Sequence, residues 1–289
     1  MQPEKLKFSY AKIPNMGDLL NELILDRLFR ASYGNVSKWA AWDLLGIGSC
    51  LSCAFPKRPA GFHPLWKLRH LRDCRIRAPQ HVWGTGFMVP PDVKQFARGG
   101  WLRFLAIRGR LSRGYVEKIQ GRRLDVLLGD GGVLAPMLLE GKAEPMAEVG
   151  ILPHFQEKDS PPVRWLREKF PEALVIDVQD EPLRVIRQIA GCGVLFSSSL
   201  HGLVVADSFH VPNMRLKLTD APVGTGFKFD DYYSAYGLEV PAFQVRPDRL
   251  PTVAELKKNY AVPRDLVDEK RERMHAVLGE FLRAGGFVG

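Results

Sequence analysis

Residues 197–202 read SSSLHG and follow the apolar run VLF. His201 has the one side-chain type whose ordinary titration spans neutral pH, so it can give or take a proton during turnover. Gly202 follows it, and backbone N–H groups at the start of a succeeding helix also suit an anion. The stretch is no hydrolase nucleophile elbow, because G-x-S-x-G is absent. Other groups able to do chemistry stand in similar polar breaks: His154 after Pro153 in ILPHF, Arg108 in AIRGRLS and Asp130 in GDGG. Asn15, Gly17 and Asp18 lie in NMGD, and Gly84, Thr85 and Gly86 in WGTGF. A bare G-x-G is weak evidence for a nucleotide.

Composition narrows the chemistry. Four cysteines in 289 residues are no disulfide framework, and the lone C-x-x-C of Cys50 and Cys53 lacks the second pair a zinc site wants; Cys74 and Cys192 are isolated. Neither a metal nor a redox cofactor is expected. The net charge of +9 favours an anionic partner. Its densest part is KLRHLRDCRIR, residues 67–77, either a solvated basic face or a patch that docks on anionic lipid or lipid diphosphate. No nucleic-acid module is visible, so no nucleic-acid partner is expected. The start, MQPEKLKFSYAKIPNMGD, has no signal-peptide pattern, and no apolar run reaches membrane-spanning length. A cytoplasmic protein is expected, able to sit peripherally on the inner face of the membrane.

Those residues need elements to hold them. KLKFSYAKI, WDLLGIGSC, QHVWGTGF and LRFLAIRG read as strands, with helices over LLNELILDRLFRAS and from Leu111 to Gln120. In the second half DVLLGD, EVGILPHF, EALVIDVQ, CGVLFSSS and NMRLKL read as strands, with PLRVIRQIA and HGLVVADSFH as helices. The alternation predicts an α/β protein with parallel sheets. Ligands of such sheets bind outside the carboxyl ends of the strands, and that is where the polar clusters fall.

Several segments, in order over residues 6–237, resemble the polysaccharide pyruvyltransferase family, on its bacterial exopolysaccharide, succinoglycan- and xanthan-like branch. They are the N-x-G-D loop, AIRGRLSRGYVEK, DVLLGDGGVLAP, VGILPHFQEKD, SSSLHGLVVADSFHVPNMRL and GTGFKFDDYY. Many members carry S-x-R-L-H-G; here Ser199 stands in place of that arginine. The resemblance implies two Rossmann-like domains facing a cleft, glycosyltransferase-B-like. These are an acceptor-side domain at 1–124, a phosphoenolpyruvate-side domain at 125–262 and a C-terminal helix at 263–289. It further implies transfer of the enolpyruvyl group of phosphoenolpyruvate to a sugar, giving a pyruvate ketal on a lipid-linked saccharide acceptor. A glycosyltransferase using a nucleotide sugar is the alternative, although no D-x-D cluster is present; a non-catalytic saccharide-binding protein is a third reading.

Ketal formation protonates the vinyl carbon of phosphoenolpyruvate, and sugar hydroxyls then attack C2 as phosphate leaves. The reaction needs an acid, a base and cations for the carboxylate and phosphate. On the resemblance, His201 is the general acid, a phosphate binder or, failing both, a helix-capping histidine. Arg108 matches the family's substrate-binding arginine; the alternative is a strand-end arginine paired with a structural carboxylate. Arg110 and Arg113 are expected to be solvent-facing or supportive, and Ser112 to cap the next helix. His154 is a second acid/base group, an acceptor contact or a packed histidine. Asp18 caps a helix or binds an acceptor hydroxyl beside Asn15 and Gly17, and Gly84, Thr85 and Gly86 offer a comparable loop. Asp130, Ser197, Ser198, Ser199, Leu200 and Gly202 bind phosphate or close turns.

Overall fold

The computed structural model describes residues 4–37, 41–59, 61, 65–70, 77–220 and 226–288. Cys74, most of the basic KLRHLRDCRIR stretch and the first two residues of GTGFKFDDYY lie outside them.

Strands in a parallel sheet are covered on both faces and so read as continuous apolar runs. Two sheets of this kind form, and the chain is an α/β protein. In the first, the strands are β1 (Leu6–Ser9), β2 (Tyr33–Asn35), β3 (Leu44–Leu45), β4 (Gln80–Val82) and β5 (Leu102–Phe104), all parallel, in the order β2-β1-β3-β4-β5. A short parallel pair follows, β6 (Ala106–Ile107) with β7 (Leu127–Leu128). The second sheet comprises β8 (Ala147–Leu152), β9 (Leu174–Val175), β10 (Cys192–Ser197), β11 (Asn213–Lys217) and β12 (Phe243–Gln244), again all parallel, in the order β12-β11-β10-β8-β9.

Helices fill the crossovers: α1 (Met16–Leu23), α2 (Arg110–Gln120), α3 (Pro161–Lys169), α4 (Pro182–Ala190), α5 (Leu200–Ser208), α6 (Phe227–Ser234), α7 (Val253–Asn259) and α8 (Arg264–Ala284). Local sequence explains their ends. Glu181 accepts hydrogen bonds from Leu183 N and Arg184 N ahead of a proline at the start of α4. Thr252 and Glu255 form a capping box on α7.

The elements differ from the sequence reading in extent. The run WDLLGIGSC yields only β3, because the chain leaves the ladder at Gly46 and at Gly48, whose φ is +130°. LRFLAIRG splits into β5 and β6, since β6 turns away to pair with β7. The helix after NMGD begins earlier, at Met16, and ends in a wider π turn, Ile24–Phe29. Ser112 is not the cap of α2: Gly109 is, and Ser112 lies in its first turn.

One apolar core runs through both halves. Leu6, Phe8 and Leu20 belong to the same buried cluster as Ile186, Leu203 and Val204. Helix α1 packs against α4 and α5, and α8 packs on α5 and on the 3-10 turn Gly131–Leu138. The chain end returns to the first sheet, with Trp83 Nε1 donating to Met274 O at 3.3 Å and Ser32 N to Phe287 O at 2.9 Å. Among the described residues, no helix is long and apolar enough to cross a membrane.

Candidate active site

Each strand order reverses once. In the first sheet the reversal falls between β1 and β3, and in the second between β8 and β10. Loops leaving neighbouring strands at such a point diverge and leave a crevice for a ligand. A single pocket of about 310 Å³ sits at both reversals. Asn15 and Asp18 after β1, Gly48 and Ser49 after β3, His154 and Phe155 after β8, and Ser199, Leu200 and His201 after β10 all line it. Two helix starts therefore meet there. Asn15 caps α1, accepting from Asp18 N at 3.1 Å, and Ser199 is the N-cap residue of α5, its side chain making no capping bond.

His201 and Gly17 come from opposite halves and touch. A Cβ on Gly17 would lie 2.0 Å from His201 Nδ1, so only glycine leaves room for the imidazole. The other nitrogen, Nε2, is buried and faces Asp130 Oδ2 at 3.8 Å; neither atom has another partner. Asp130 is fully buried and its Oδ1 accepts from Gly132 N at 2.9 Å. It thus closes a turn and faces the histidine, and it is not among the residues that line the pocket. Gly17→Ala is expected to keep the fold and displace the ring; misplacing a catalytic group by about 1 Å can cost ~10²-fold in turnover. Turnover within twofold of the parent, at unchanged melting temperature, would count against this placement.

The serines divide in role. Ser197 Oγ donates to Leu152 O at 2.8 Å and accepts from Ser199 N at 3.0 Å, so it closes the turn. Ser198 Oγ donates to Glu157 Oε2 at 2.6 Å and accepts from His154 N at 2.9 Å, tying the β8 and β10 loops together. Gly202 packs under Ser197 and Leu152. Only Ser199 of the three serines lines the pocket.

His154 lines the pocket. Burial, with nearby Lys228 adding to it, pushes its imidazole down to about 4. It is therefore neutral at pH 7, and its Nδ1 accepts from Gln156 N at 3.3 Å, which leaves the proton on Nε2. A neutral imidazole there is suited to hydrogen bonding a hydroxyl and unsuited to donating the first proton.

Arg108 departs from the substrate-clamp expectation. Its side chain is fully buried, with Nε donating to Asp231 Oδ2 at 2.9 Å, Nη1 to Ser49 Oγ at 2.8 Å and Nη2 to Phe87 O at 2.6 Å. It reaches the pocket only through Ser49. Asp231 also accepts from Ser112 N at 2.7 Å and Ser112 Oγ at 2.6 Å, and Ser234 Oγ accepts from Arg110 N at 2.8 Å. The start of α2 is thus docked on α6. Gly86 belongs to this joint, since a Cβ there would meet the guanidinium and Asp231 at 2.6 Å. Thr85 is equally internal, donating to Gly48 O at 2.9 Å, and Gly84 packs on Ile47. The loop of Gly84, Thr85 and Gly86 builds the wall behind the pocket and does not line it.

Two charged residues of α6 went unmarked in the sequence. One is Asp231; the other is Lys228, which lines the pocket. Burial, aided by Arg108, lowers the Lys228 ammonium to about 8. Across from it, Asp18 accepts from Asn15 Nδ2 at 2.5 Å, and burial holds its carboxyl above the ordinary range. The visible clue was a lysine between two phenylalanines, Phe227 and Phe229, both of which are core. Cys50 and Cys53 line the pocket and neither is in a disulfide; burial raises the Cys50 thiol to about 11.

No family model matches the chain. An uncharacterized protein of Acanthamoeba polyphaga mimivirus is 30% identical over 137 residues, 46% of this chain and 48% of that protein. The chain thus spans about half the length of that relative.

Proposed function

We propose that the pocket binds phosphoenolpyruvate and transfers its enolpyruvyl group to a sugar of a lipid-linked exopolysaccharide unit. The products are a pyruvate ketal and phosphate. The carrying observation is the convergence of two helix starts, Lys228 and His201 on one pocket at both strand-order reversals. Helix starts and an ammonium suit the carboxylate and phosphate of a small anion. His201 protonates the vinyl carbon, which makes C2 electrophilic. Asp18, its carboxyl made more basic by burial, takes the proton of the attacking hydroxyl. His154 hydrogen-bonds the acceptor. The C2–O–phosphate bond then breaks, phosphate leaves, and the second hydroxyl closes the ketal, its proton returning to His201.

In this reading residues 1–124 present the acceptor and 125–262 the donor, in a glycosyltransferase-B-like pair, with 263–289 bracing both. Lys228 supplies the cation that Ser199 lacks. The chain works at the cytoplasmic face of the membrane with no cofactor. The test is phosphate release from labelled phosphoenolpyruvate across a panel of saccharide acceptors. Release that depends on acceptor supports the reading. Transfer from a nucleotide sugar instead would make the protein a glycosyltransferase, and saccharide binding without either reaction a binding protein.

Lys228 gives this reading a pH signature. Its ammonium is charged below about 8 and neutral above it, so donor affinity should hold to about pH 7.5 and fall as pH rises through 8. Lys228→Met should remove that fall and weaken donor binding about tenfold or more, the order expected when a charged hydrogen bond of ~1.5–3 kcal/mol is lost. Calorimetric titration with phosphoenolpyruvate between pH 7 and 9.5 checks both. An unchanged pH profile in the methionine variant would remove Lys228 from donor binding.

A further inference from the structure

A second pocket, of about 270 Å³, lies apart from the chemistry and is lined by Pro56, Trp66, Arg69, His70, Arg77 and Trp101. Residues 65–70 are helical. Trp66 and His70, one turn apart, stack at 4.9 Å on the pocket side, and His70 meets the edge of Trp101 at 6.1 Å. The Arg77 guanidinium covers the Trp101 ring at 4.6 Å. Leu65 and Leu68, three residues apart and so side by side, adjoin the pocket, because Arg69, which lines it, stands one turn from Leu65. The leucines are 81% and 65% exposed, the two most exposed large apolar side chains among the described residues.

The surroundings are strongly basic. From Lys57 to Arg77 the sequence holds seven lysines and arginines against one carboxylate, Asp73. Of these, Lys57, Arg58, Lys67, Arg69 and Arg77 are described, and all are exposed. Two bare leucines beside a cluster of cations is the composition of a surface that lies in a bilayer interface, leucines among the acyl chains and cations at the headgroups. Single-stranded nucleic acid fits less well, because it needs open ring faces to stack on. Here Trp66 is covered by His70, and Trp101 is buried under Arg77.

We infer that this face docks the protein on an anionic lipid bilayer, with Leu65 and Leu68 inserted and the Trp66–Arg69–Arg77 pocket receiving a lipid phosphate. The docking stands on this surface alone; its use in the transfer reaction rests on the function proposed above. That use has a geometric basis. Cys53 lines the first pocket and Pro56 the second, so the two share one strip of chain. Three residues span at most about 11 Å between Cα atoms. A lipid phosphate held in the second pocket therefore lies along the same strip of chain as the candidate active site.

The experiment is co-sedimentation of the full chain with vesicles of phosphatidylcholine alone, or of phosphatidylcholine and phosphatidylglycerol in equal parts. Binding to the mixed vesicles only, weakened by salt, is expected. Leu65→Asn/Leu68→Asn should lower partitioning at least tenfold. Lys67→Gln/Arg69→Gln should lower it by about 25-fold, about fivefold for each cation near the surface. All four positions but none of the active-site groups are altered, so melting temperature, phosphoenolpyruvate binding and any phosphate release with a water-soluble acceptor should match the parent. Loss of vesicle binding with those retained separates this inference from the proposed reaction. Three results would overturn it: no partitioning of the parent, equal partitioning of the variants, or a single-stranded oligonucleotide that binds these residues and displaces the vesicles.

Discussion

His201→Gln is expected to lower turnover by ~10²–10⁴-fold, the range for losing a general acid, with donor binding reduced far less. Glutamine keeps a hydrogen-bonding head but has no proton to give near neutral pH. The seat of the ring makes the experiment decisive. Gly17 packs against Nδ1 and the buried carboxylate of Asp130 faces Nε2 at 3.8 Å, so the imidazole is held from both sides. Asp130 braces the ring from the Nε2 side. Asp130→Asn, which keeps the shape and removes the charge, should therefore also lower turnover, by less than the His201 variants. The His201 side chain is 14% exposed and makes no hydrogen bond within 3.5 Å, so melting temperature should move little in the glutamine variant. Near-parental turnover would reduce His201 to an anion contact. A large drop in melting temperature would make it part of the scaffold at the head of α5.

The site was legible in the sequence where polar residues interrupt apolar runs at strand ends. Asn15, Asp18, His154, Ser199, Leu200 and His201 all stand in such breaks, and all six line one pocket. The sheet type was legible for the same reason, because long runs such as those of β8 and β10 have no polar face. Edge strands β2 and β12 were not, being three and two residues long, too short to show a period. Arg108 kept two readings in the sequence because a charge at a strand end looks the same whether it faces a cleft or the interior. What decides is Asp231, 123 residues further along. Lys228 was missed because one cation among core aromatics announces no direction; the fold of α6 alone turns it to the pocket.

The Arg108–Asp231 pair carries the largest expected effect on stability. Both side chains are 0% exposed, and between them they bind Ser49, Phe87 O and Ser112. Arg108→Ala or Asp231→Ala leaves the opposite charge buried and unpaired, which typically costs ~3–5 kcal/mol. Against a usual total of ~5–15 kcal/mol, that endangers folding itself. Arg108→Lys keeps the charge, but an ammonium cannot hold three partners in the fork geometry, so a smaller loss is expected. The double variant Arg108→Met/Asp231→Leu removes both charges and should recover part of what either single change loses. Urea unfolding of the four variants reads these differences as shifts in midpoint. The opposite pattern is equally clear: a lysine variant with parental stability and sharply weakened donor binding would return Arg108 to the pocket as an anion clamp. On the geometry found, stability falls first, and activity follows because Ser49 and the start of α2 lose their anchor.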